Sequence, residues 1–240
     1  MASFHHRQGQ YGVDAPYVPL LQAAAGIVCL VLSAFANPGG TALLIWGLIL
    51  LAMAACFFYT TRRGKFVVWA RLIDKLHLKG DERALDLGCG RGLVLLEVAR
   101  HLSSGEAVGI DLWHAHDQSG NDASATQANA RAEGVAERVR LETGDMTALP
   151  FADASFDLVV SSLAIHNIPS QAGRIKAIDE AARVMRPGAR LLIADFRHTR
   201  AYAEHLAKLG LKDVTRHDLG WRFWYGGPLW ATHLVSARKA

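Results

Sequence analysis

The residues with the clearest chemical potential lie in Ala84–Gly92, which reads ALDLGCGRG. An acidic residue, Asp86, stands in a β-rich run and is followed by three alternate glycines. Glycine lets a backbone turn sharply and pass close to a ligand. A dinucleotide-binding turn would have a glycine where Leu93 stands, and a nearby carboxylate would repel its pyrophosphate. The pattern therefore favours a ligand that carries positive charge.

Two further acids follow the next two β-rich runs. Asp111 ends the run VGID, where a carboxylate can accept hydrogen bonds from both ribose hydroxyls of a nucleoside. Asp145 stands in GDM, where it can accept from an adenine amino group while Met146 packs on the ring. A single strand-end aspartate often only caps a helix or a turn. The three acids in this order predict a site for S-adenosylmethionine, whose ammonium and sulfonium groups suit Asp86.

Short β-rich runs bounded by glycine alternate with helical patterns from Arg83 onward. This alternation predicts an α/β fold with helices covering a largely parallel sheet. Strands are predicted at 83–87, 107–111, 139–142, 157–161, 190–195, 212–217 and 232–237, and helices at 64–76, 93–101, 124–133, 172–185 and 201–209. Ligands bind outside the carboxyl ends of such strands, so the residues that follow each strand are the site candidates.

The motifs LDLGCGRG, VGIDL, GDMTALPF, FDLVVSSLAIHNI and MRPGARLLIADF resemble those of a known family. They are similar to the seven-stranded, Rossmann-like (class I) S-adenosylmethionine-dependent methyltransferases, in particular the type 11 group. The resemblance extends over residues 83–196. It implies a seven-stranded sheet whose last strand runs antiparallel beside the sixth, and S-adenosylmethionine as the cofactor.

The resemblance also implies roles for single residues. Asp86 and the glycine-turn backbone would hold the methionine part, Asp111 the ribose, and Asp145 with Met146 the adenine, while Ser161 would line the wall beside the sulfonium. The complete set of expected cofactor contacts is Asp86, Gly88, Cys89, Gly90, Asp111, Leu112, Asp145, Met146 and Ser161.

His166 is the candidate catalytic residue. Methyl transfer from a sulfonium depends chiefly on alignment, so a base is needed only where a hydroxyl or thiol must lose a proton. His166 follows the fourth strand and could serve as that base, or it could only brace the loop over the cofactor. The expected acceptor contacts are His166, Asn167, Trp221, Trp224 and Tyr225.

Five of the ten residues from Trp221 to Trp230 are aromatic. Three interpretations apply: a hydrophobic cover on an edge hairpin, an interfacial belt facing lipid, or the wall of an apolar substrate pocket. A mixture of cover and wall is favoured.

Metal and nucleic-acid sites are not expected. His114, His116 and Asp117 lie close together, but a solvated loop explains them better than a metal site, because no further ligand cluster is evident. The formal net charge of +4 comes with no long basic run and no nucleic-acid motif.

Two uncharged runs of 19 residues, Val18–Ala36 and Thr41–Tyr59, precede the sheet. Each would span about 28 Å as a helix, close to the hydrocarbon thickness of a bilayer. Asn37–Gly40 supplies a proline and two glycines for a tight turn. These features predict a transmembrane helical hairpin. A cleaved signal peptide, two buried core helices, and a hairpin lying shallowly in one leaflet are the alternatives.

Basic residues set the orientation of this hairpin. Arg62, Arg63 and Lys65 follow the second run and Arg7 precedes the first, so both termini are expected in the cytoplasm, with the enzyme domain facing it. The predicted organisation is a tail and hairpin at 1–60, a juxtamembrane helix or linker at 61–80, and a methyltransferase domain at 81–240. Residues 64–76 could lie along the membrane or pack on the sheet.

The predicted function is a membrane-anchored methyltransferase with a small, lipophilic acceptor that is quinone-like, lipid-like or a thiol. A non-enzymatic, membrane-anchored S-adenosylmethionine-binding regulator or assembly factor is the alternative. A nicotinamide-dependent reductase is disfavoured by the glycine spacing and by the lack of a tyrosine followed four residues later by lysine. The expected partners are the acceptor and the bilayer. Nothing in the sequence indicates an oligomeric state.

Overall fold

Seven strands form one sheet in the computed structural model, which describes residues 7–114 and 120–240. The strands are β1 (Arg83–Leu87), β2 (Glu106–Asp111), β3 (Val139–Thr143), β4 (Phe156–Ser162), β5 (Met185–Asp195), β6 (Lys212–Asp218) and β7 (His233–Arg238). Their order in the sheet is β3-β2-β1-β4-β5-β7-β6. Strand β7 runs antiparallel to both neighbours, and β1 to β5 pair in parallel. The predicted seven-stranded α/β sheet with an antiparallel last strand is confirmed.

Seven α-helices accompany these strands in the described ranges. They are α1 (Tyr17–Ser33), α2 (Gly40–Tyr59), α3 (Lys65–Asp74), α4 (Leu93–Arg100), α5 (Ala123–Ala132), α6 (Gln171–Val184) and α7 (Thr199–Lys208). The predicted helices lie within a few residues of these bounds. Strand β5 begins at Met185, five residues before the predicted start at 190. Met185 pairs with Phe156, and the pairing of β4 with β5 shifts register before it continues from Leu158 and Arg190.

Helix α3 packs on the sheet rather than standing apart from it. Trp69 and Ile73 are fully buried in one of the two hydrophobic clusters that flank the strands. The indole Nε1 of Trp69 donates a hydrogen bond to Ser162 Oγ at the end of β4 (2.9 Å). Because an indole N–H needs a partner when it is buried, this bond fixes α3 over the carboxyl end of β4.

Helices α1 and α2 form a hairpin that projects apolar side chains outward. Gly26 and Gly47 lie where the helices cross, and a Cβ at Gly47 would come within 2.9 Å of the Gly26 carbonyl oxygen. Such small residues allow close helix packing. The exposed large apolar residues of these helices include Leu20, Leu21, Ile27, Val28, Val31, Leu32, Leu44, Ile45, Trp46, Leu48, Ile49 and Phe58.

The two helices of the hairpin differ in length. A π-helical turn at Thr60–Gly64 joins α2 to α3, so Gly40–Asp74 is one continuous helix. It is the one helix in the described ranges that is long and apolar enough to cross a membrane. Helix α1 has 17 residues, fewer than the 19 predicted, because it ends at Ser33 rather than Ala36.

A largely buried carboxylate, Asp14, whose side chain is 18% exposed, joins the hairpin to the sheet. Its oxygens accept hydrogen bonds from Lys65 Nζ (2.7 and 2.8 Å), Thr61 Oγ1 (2.9 Å) and the Tyr225 hydroxyl (2.7 Å). Burial by itself would raise the pKa of Asp14, but the Lys65 ammonium and these hydrogen bonds outweigh it and lower the pKa. Asp14 is therefore ionised and connects the chain before α1, the end of α2 and the segment before β7.

Residues 7–11 pack onto α4 and α5. Arg7 forms an ion pair with Glu97 of α4 (2.6 Å), and the Tyr11 hydroxyl donates to Glu133 just after α5 (2.8 Å). The Tyr11 ring lies edge-on to Phe66 of α3, with centroids 5.2 Å apart. The N-terminal tail is therefore part of the packed domain, although the hairpin separates it from that domain in sequence.

We expect Lys65→Met to lower the free energy of unfolding by about 3 kcal/mol, because it leaves the Asp14 carboxylate buried without its cation. Thermal unfolding of the detergent-solubilised chain measures the loss. Lys75→Met removes an exposed lysine directly after α3 and should cost less than about 0.5 kcal/mol. Equal effects of the two substitutions would show that the buried ion pair does not stabilise the junction.

Candidate active site

The glycine turn after β1 is held tightly against its neighbours. Gly88 has a φ of +70°, and a Cβ there would collide with the Ala164 side chain. The amides of Gly88 and Cys89 donate to the Ile110 carbonyl of β2 (2.9 and 3.2 Å). Only glycine at position 88 lets the turn adopt this conformation beside β4.

Asp86 is a buried carboxylate with one free oxygen. Its Oδ2 accepts a hydrogen bond from the Leu95 amide (2.9 Å), whereas no group in the described part of the chain donates to Oδ1. Burial raises the pKa of Asp86 to about 8; the Leu95 amide opposes this shift and the charge of Asp111 adds to it. A cationic group placed against Oδ1 would satisfy this oxygen and favour the ionised form.

Asp111 connects the glycine turn to the chain after β2. Its Oδ2 accepts from the Gly90 amide (2.8 Å), and its Oδ1 accepts from the Trp113 amide (2.6 Å). The side chain remains partly exposed, and the adjacent Leu112 is exposed. The carboxylate therefore lies beside the turn, where a ribose could reach it.

The remaining predicted cofactor residues occupy different positions around the turn. Met146 is half-buried, and its terminal methyl lies 3.2 Å from where a Gly88 Cβ would stand, whereas Asp145 is exposed at the rim. Ser161 is fully buried below the turn, and its hydroxyl donates to the Leu87 carbonyl (2.9 Å). Burial also raises the pKa of the Cys89 thiol well above its ordinary value, so this side chain is a neutral packing group.

Two residues of α5 that the sequence analysis missed hold the same turn. The Thr126 hydroxyl donates to the Gly90 carbonyl (2.7 Å), and Asn129 Nδ2 donates to the Arg91 carbonyl (2.9 Å). The amide of Asn129 also exchanges hydrogen bonds with the backbone of Gln10, at 2.7 and 3.0 Å. Both side chains are buried although they are polar, and no local pattern in the sequence distinguishes them from ordinary surface residues.

His166 lies in a 3-10 turn after β4 and faces Asp195 at the end of β5. The ring Nδ1 is 2.9 Å from Asp195 Oδ1, but the ring N–H direction is poorly aligned, so the contact is electrostatic rather than a formed hydrogen bond. The backbone amide of His166 donates to Asp195 Oδ2 (3.2 Å). Asp195, which is fully buried, thus holds both the turn and the imidazole, whereas the neighbouring Asn167 is exposed.

The aromatic residues predicted to contact the acceptor are divided between two places. Trp221 stacks on Tyr59 at the end of α2, with centroids 5.2 Å apart, and the Trp224 indole donates to Asp218 (3.3 Å). Tyr225 is buried and its ring lies 6.3 Å from that of Phe196. The structure therefore brings Tyr225 toward His166 and does not bring Trp221 there.

The loop with His114, His116 and Asp117, where no metal site is expected, lies only partly within the described residues. His116 and Asp117 lie outside the described residues, whereas the His114 carbonyl accepts a hydrogen bond from Asn121 (3.3 Å). Within 7–114 and 120–240, no group of three or more His, Cys, Asp and Glu side chains could hold a metal ion.

Known proteins resemble part of this chain in sequence. Residues 85–193 match a family model described as "Methyltransferase domain". The chain is 36% identical over 126 residues to 27-O-demethylrifamycin SV methyltransferase of Amycolatopsis mediterranei, covering 52% of this chain and 43% of that protein. It is 35% identical over 119 residues to demethylmenaquinone methyltransferase of Lactiplantibacillus plantarum, covering 49% and 46%. The chain thus spans less than half the length of these curated relatives.

Solved structures share the fold. A TehB-like SAM-dependent methyltransferase from Corynebacterium glutamicum superposes with a TM-score of 0.54 at 20% identity, covering 72% of this chain and 88% of that one. The free Asp86 oxygen and the turn that excludes a Cβ at Gly88 suit a cofactor that brings a cation close to the backbone. Residues 85–193, less than half of the chain, therefore match a methyltransferase domain. They extend from β1 into β5 of the Rossmann-like, seven-stranded sheet, and the glycine turn suits S-adenosylmethionine as the cofactor.

Proposed function

We propose that this chain is an S-adenosylmethionine-dependent methyltransferase that α1 and α2 hold at a membrane, with a small lipophilic acceptor. The observation that carries this proposal is the junction of an outward-facing apolar hairpin with the methyltransferase domain. Tyr59 at the end of α2 stacks on Trp221, and Phe57 lies edge-on to Tyr225 with centroids 4.9 Å apart. The apolar hairpin and the aromatic segment of the domain are thus in direct contact.

In the proposed site, four side chains bind the cofactor, which when bound supplies an electrophilic methyl group. Asp86 Oδ1 accepts from the ammonium of the methionine part, and Asp111 accepts from the ribose hydroxyls. Asp145 at the rim accepts from the adenine amino group, and Met146 packs on the ring. Ser161 acts from below by holding the end of β1.

His166 is the proposed residue for the acceptor proton. With Nδ1 directed at Asp195, Nε2 is the nitrogen left to accept a proton from an acceptor hydroxyl. The buried Asp195 carboxylate would stabilise the imidazolium that forms. In this arrangement His166 braces the turn through its backbone and serves as base through its ring, so the two interpretations of this residue are compatible.

The membrane part of the proposal depends on exposed apolar surface. Large side chains face outward around both helices, and Phe35 near the tip of the hairpin is 82% exposed. A patch of this extent marks an interaction surface, and the 20 residues of α2 would span about 30 Å, close to the hydrocarbon thickness of a bilayer. Arg62 and Arg63 are exposed at the base of the hairpin, which favours a cytoplasmic methyltransferase domain.

A quinone-like acceptor in its reduced, hydroquinone form is the favoured class, because this form carries the hydroxyl whose proton His166 would take. One relative acts, by its name, on demethylmenaquinone, and a compound of that kind concentrates in the bilayer beside the hairpin. The aromatic side chains near His166 offer flat apolar surfaces for such a ring. The proposed domain organisation is a tail and hairpin at 1–60, a juxtamembrane helix or linker at 61–80, and the methyltransferase domain at 81–240.

We expect Asp86→Asn and Asp111→Ala each to weaken S-adenosylmethionine binding by about 1 to 3 kcal/mol, the loss typical of a charge-assisted hydrogen bond. Because the pKa of Asp86 is about 8 in the free protein, wild-type affinity should rise between pH 6 and 7.5 as the carboxyl ionises. This rise should be absent in Asp86→Asn. Calorimetric titration that finds unchanged affinity in both variants would contradict the proposed site.

We expect His166→Ala to bind S-adenosylmethionine almost as well as the wild type and to lower turnover about a hundredfold or more, the contribution of a general base. Asp179→Asn is the control, because it removes another histidine–aspartate contact, to His205, away from the site. The pH dependence of kcat distinguishes a general base at His166 from a residue that only braces the loop. If the pH dependence of kcat is the same in His166→Ala as in the wild type, His166 is not the base.

We expect the full-length chain to remain with membranes in about 1 M salt, because salt screens charges but not the burial of apolar helices. For the comparison, residues 17–58 are replaced by a short glycine–serine linker. The Asp14 amide already lies 3.0 Å from Thr61 Oγ1, so the linker preserves the buried ion pair with Lys65. This variant should be recovered in the soluble fraction and should still bind S-adenosylmethionine.

Truncation at Thr61 is the contrasting case. It removes Asp14 along with the hairpin, so Lys65 and Tyr225 lose their buried partner, and it should be less stable than the linker variant. Recovery of the full-length chain in the soluble fraction would contradict the membrane proposal.

A further inference from the structure

A line of aromatic rings connects the hairpin to His166. Phe57 of α2 contacts Tyr225 edge-on, with centroids 4.9 Å apart, and Tyr225 lies 6.3 Å from Phe196. Phe196 in turn contacts the His166 ring edge-on at 4.6 Å. Apolar surface therefore extends from the membrane-facing helix to the proposed base.

The outer end of this line is open. Trp230 lies edge-on to Phe196, with centroids 6.3 Å apart, and 42% of its surface remains exposed. The adjacent Leu229 is 93% exposed. These two residues form an apolar surface that faces outward on the same segment that contacts the hairpin.

The inner part of the line is fixed. The Tyr225 hydroxyl donates a hydrogen bond to Asp14, and the Phe196 amide donates one to Asp195 Oδ1 (2.8 Å). Gly226 has a φ of +96° and lies beside α1 and α2, where a Cβ would stand 3.5 Å from Gln22 and 3.7 Å from the Met53 carbonyl. Trp230 is thus the exposed ring that packs on Phe196, and the segment around Tyr225 and Gly226 packs against the hairpin.

We propose that Trp230, supported by Phe196, is the specificity-determining entrance for the acceptor. A flat quinone-type ring would stack against the Trp230 indole on its way to His166, while an attached apolar tail stays beside the hairpin and Leu229. This inference rests on the proposed function and deepens it, because it assigns the recognition of a tailed aromatic ring to one residue. Trp221, which the sequence suggested for this role, stacks on Tyr59 instead.

The test uses the full chain in lipid nanodiscs with S-adenosylhomocysteine present and tritiated demethylmenaquinone as the probe. We expect Trp230→Ala to raise the Kd about five- to tenfold, through loss of aromatic contact. Trp230→Phe keeps a ring and should recover most of the affinity. Trp46→Ala removes another exposed tryptophan, from α2, and should bind as the wild type does. The Kd of Trp230→Ala for 1,4-naphthoquinone, which has no tail, should rise by the same factor, because the indole contacts the ring and not the tail.

Two results would overturn the inference: equal affinity of Trp230→Ala and the wild type, or no saturable binding of either probe to the wild type. Turnover with reduced demethylmenaquinone separates this inference from the proposed function. A rise in KM with unchanged kcat in Trp230→Ala supports the entrance. Probe binding that depends on Trp230 without any methyl transfer would support the entrance and contradict the proposed reaction.

Discussion

The buried carboxylate of Asp14 is the interaction on which the arrangement of the molecule depends. It lies before α1, yet its partners are Lys65 and Thr61 after α2 and Tyr225 before β7. An uncompensated charge in this position would be costly, so the three segments must meet for any of them to be stable there. The result is that a hairpin inserted near the N-terminus and an aromatic segment near the C-terminus share one junction.

That junction determines what the methyltransferase domain can reach. The domain lies at the base of the hairpin. Under the proposed membrane location, an acceptor dissolved in the bilayer would reach the site at high effective concentration without any additional contact. Methyl transfer depends mostly on alignment, and the carboxyl ends of β1, β2, β4 and β5 carry the residues proposed to align the reactants. These are Asp86 and the glycine turn for the cofactor, and His166 with Asp195 for the acceptor.

The sheet and the cofactor acids could be predicted because their signals are local. Strands β1 to β3 are short β-rich runs that end in or just before glycine or aspartate, and the three acids lie within two residues of their ends. The junction could not be predicted, because Asp14 and Tyr225 are 211 residues apart and neither stands in a recognisable motif. Asp195 was visible only as a strand-end residue, since its pairing with His166 depends on the order β4-β5 in the sheet. Trp221 and Trp230 look equivalent in the sequence, and only the packing of their rings distinguishes them.

The most direct test of the central claim is transfer of label from S-adenosylmethionine with a labelled methyl group to an extract of membrane lipids and quinones. The experiment uses the full-length chain in membranes and Asp86→Asn as the matched control. We expect the wild type to transfer label to an apolar, lipid-extractable product, and we expect Asp86→Asn to form this labelled product at a much lower rate. Label that stays in the cofactor, although calorimetry shows the cofactor bound, would contradict the account and favour a non-enzymatic S-adenosylmethionine-binding protein.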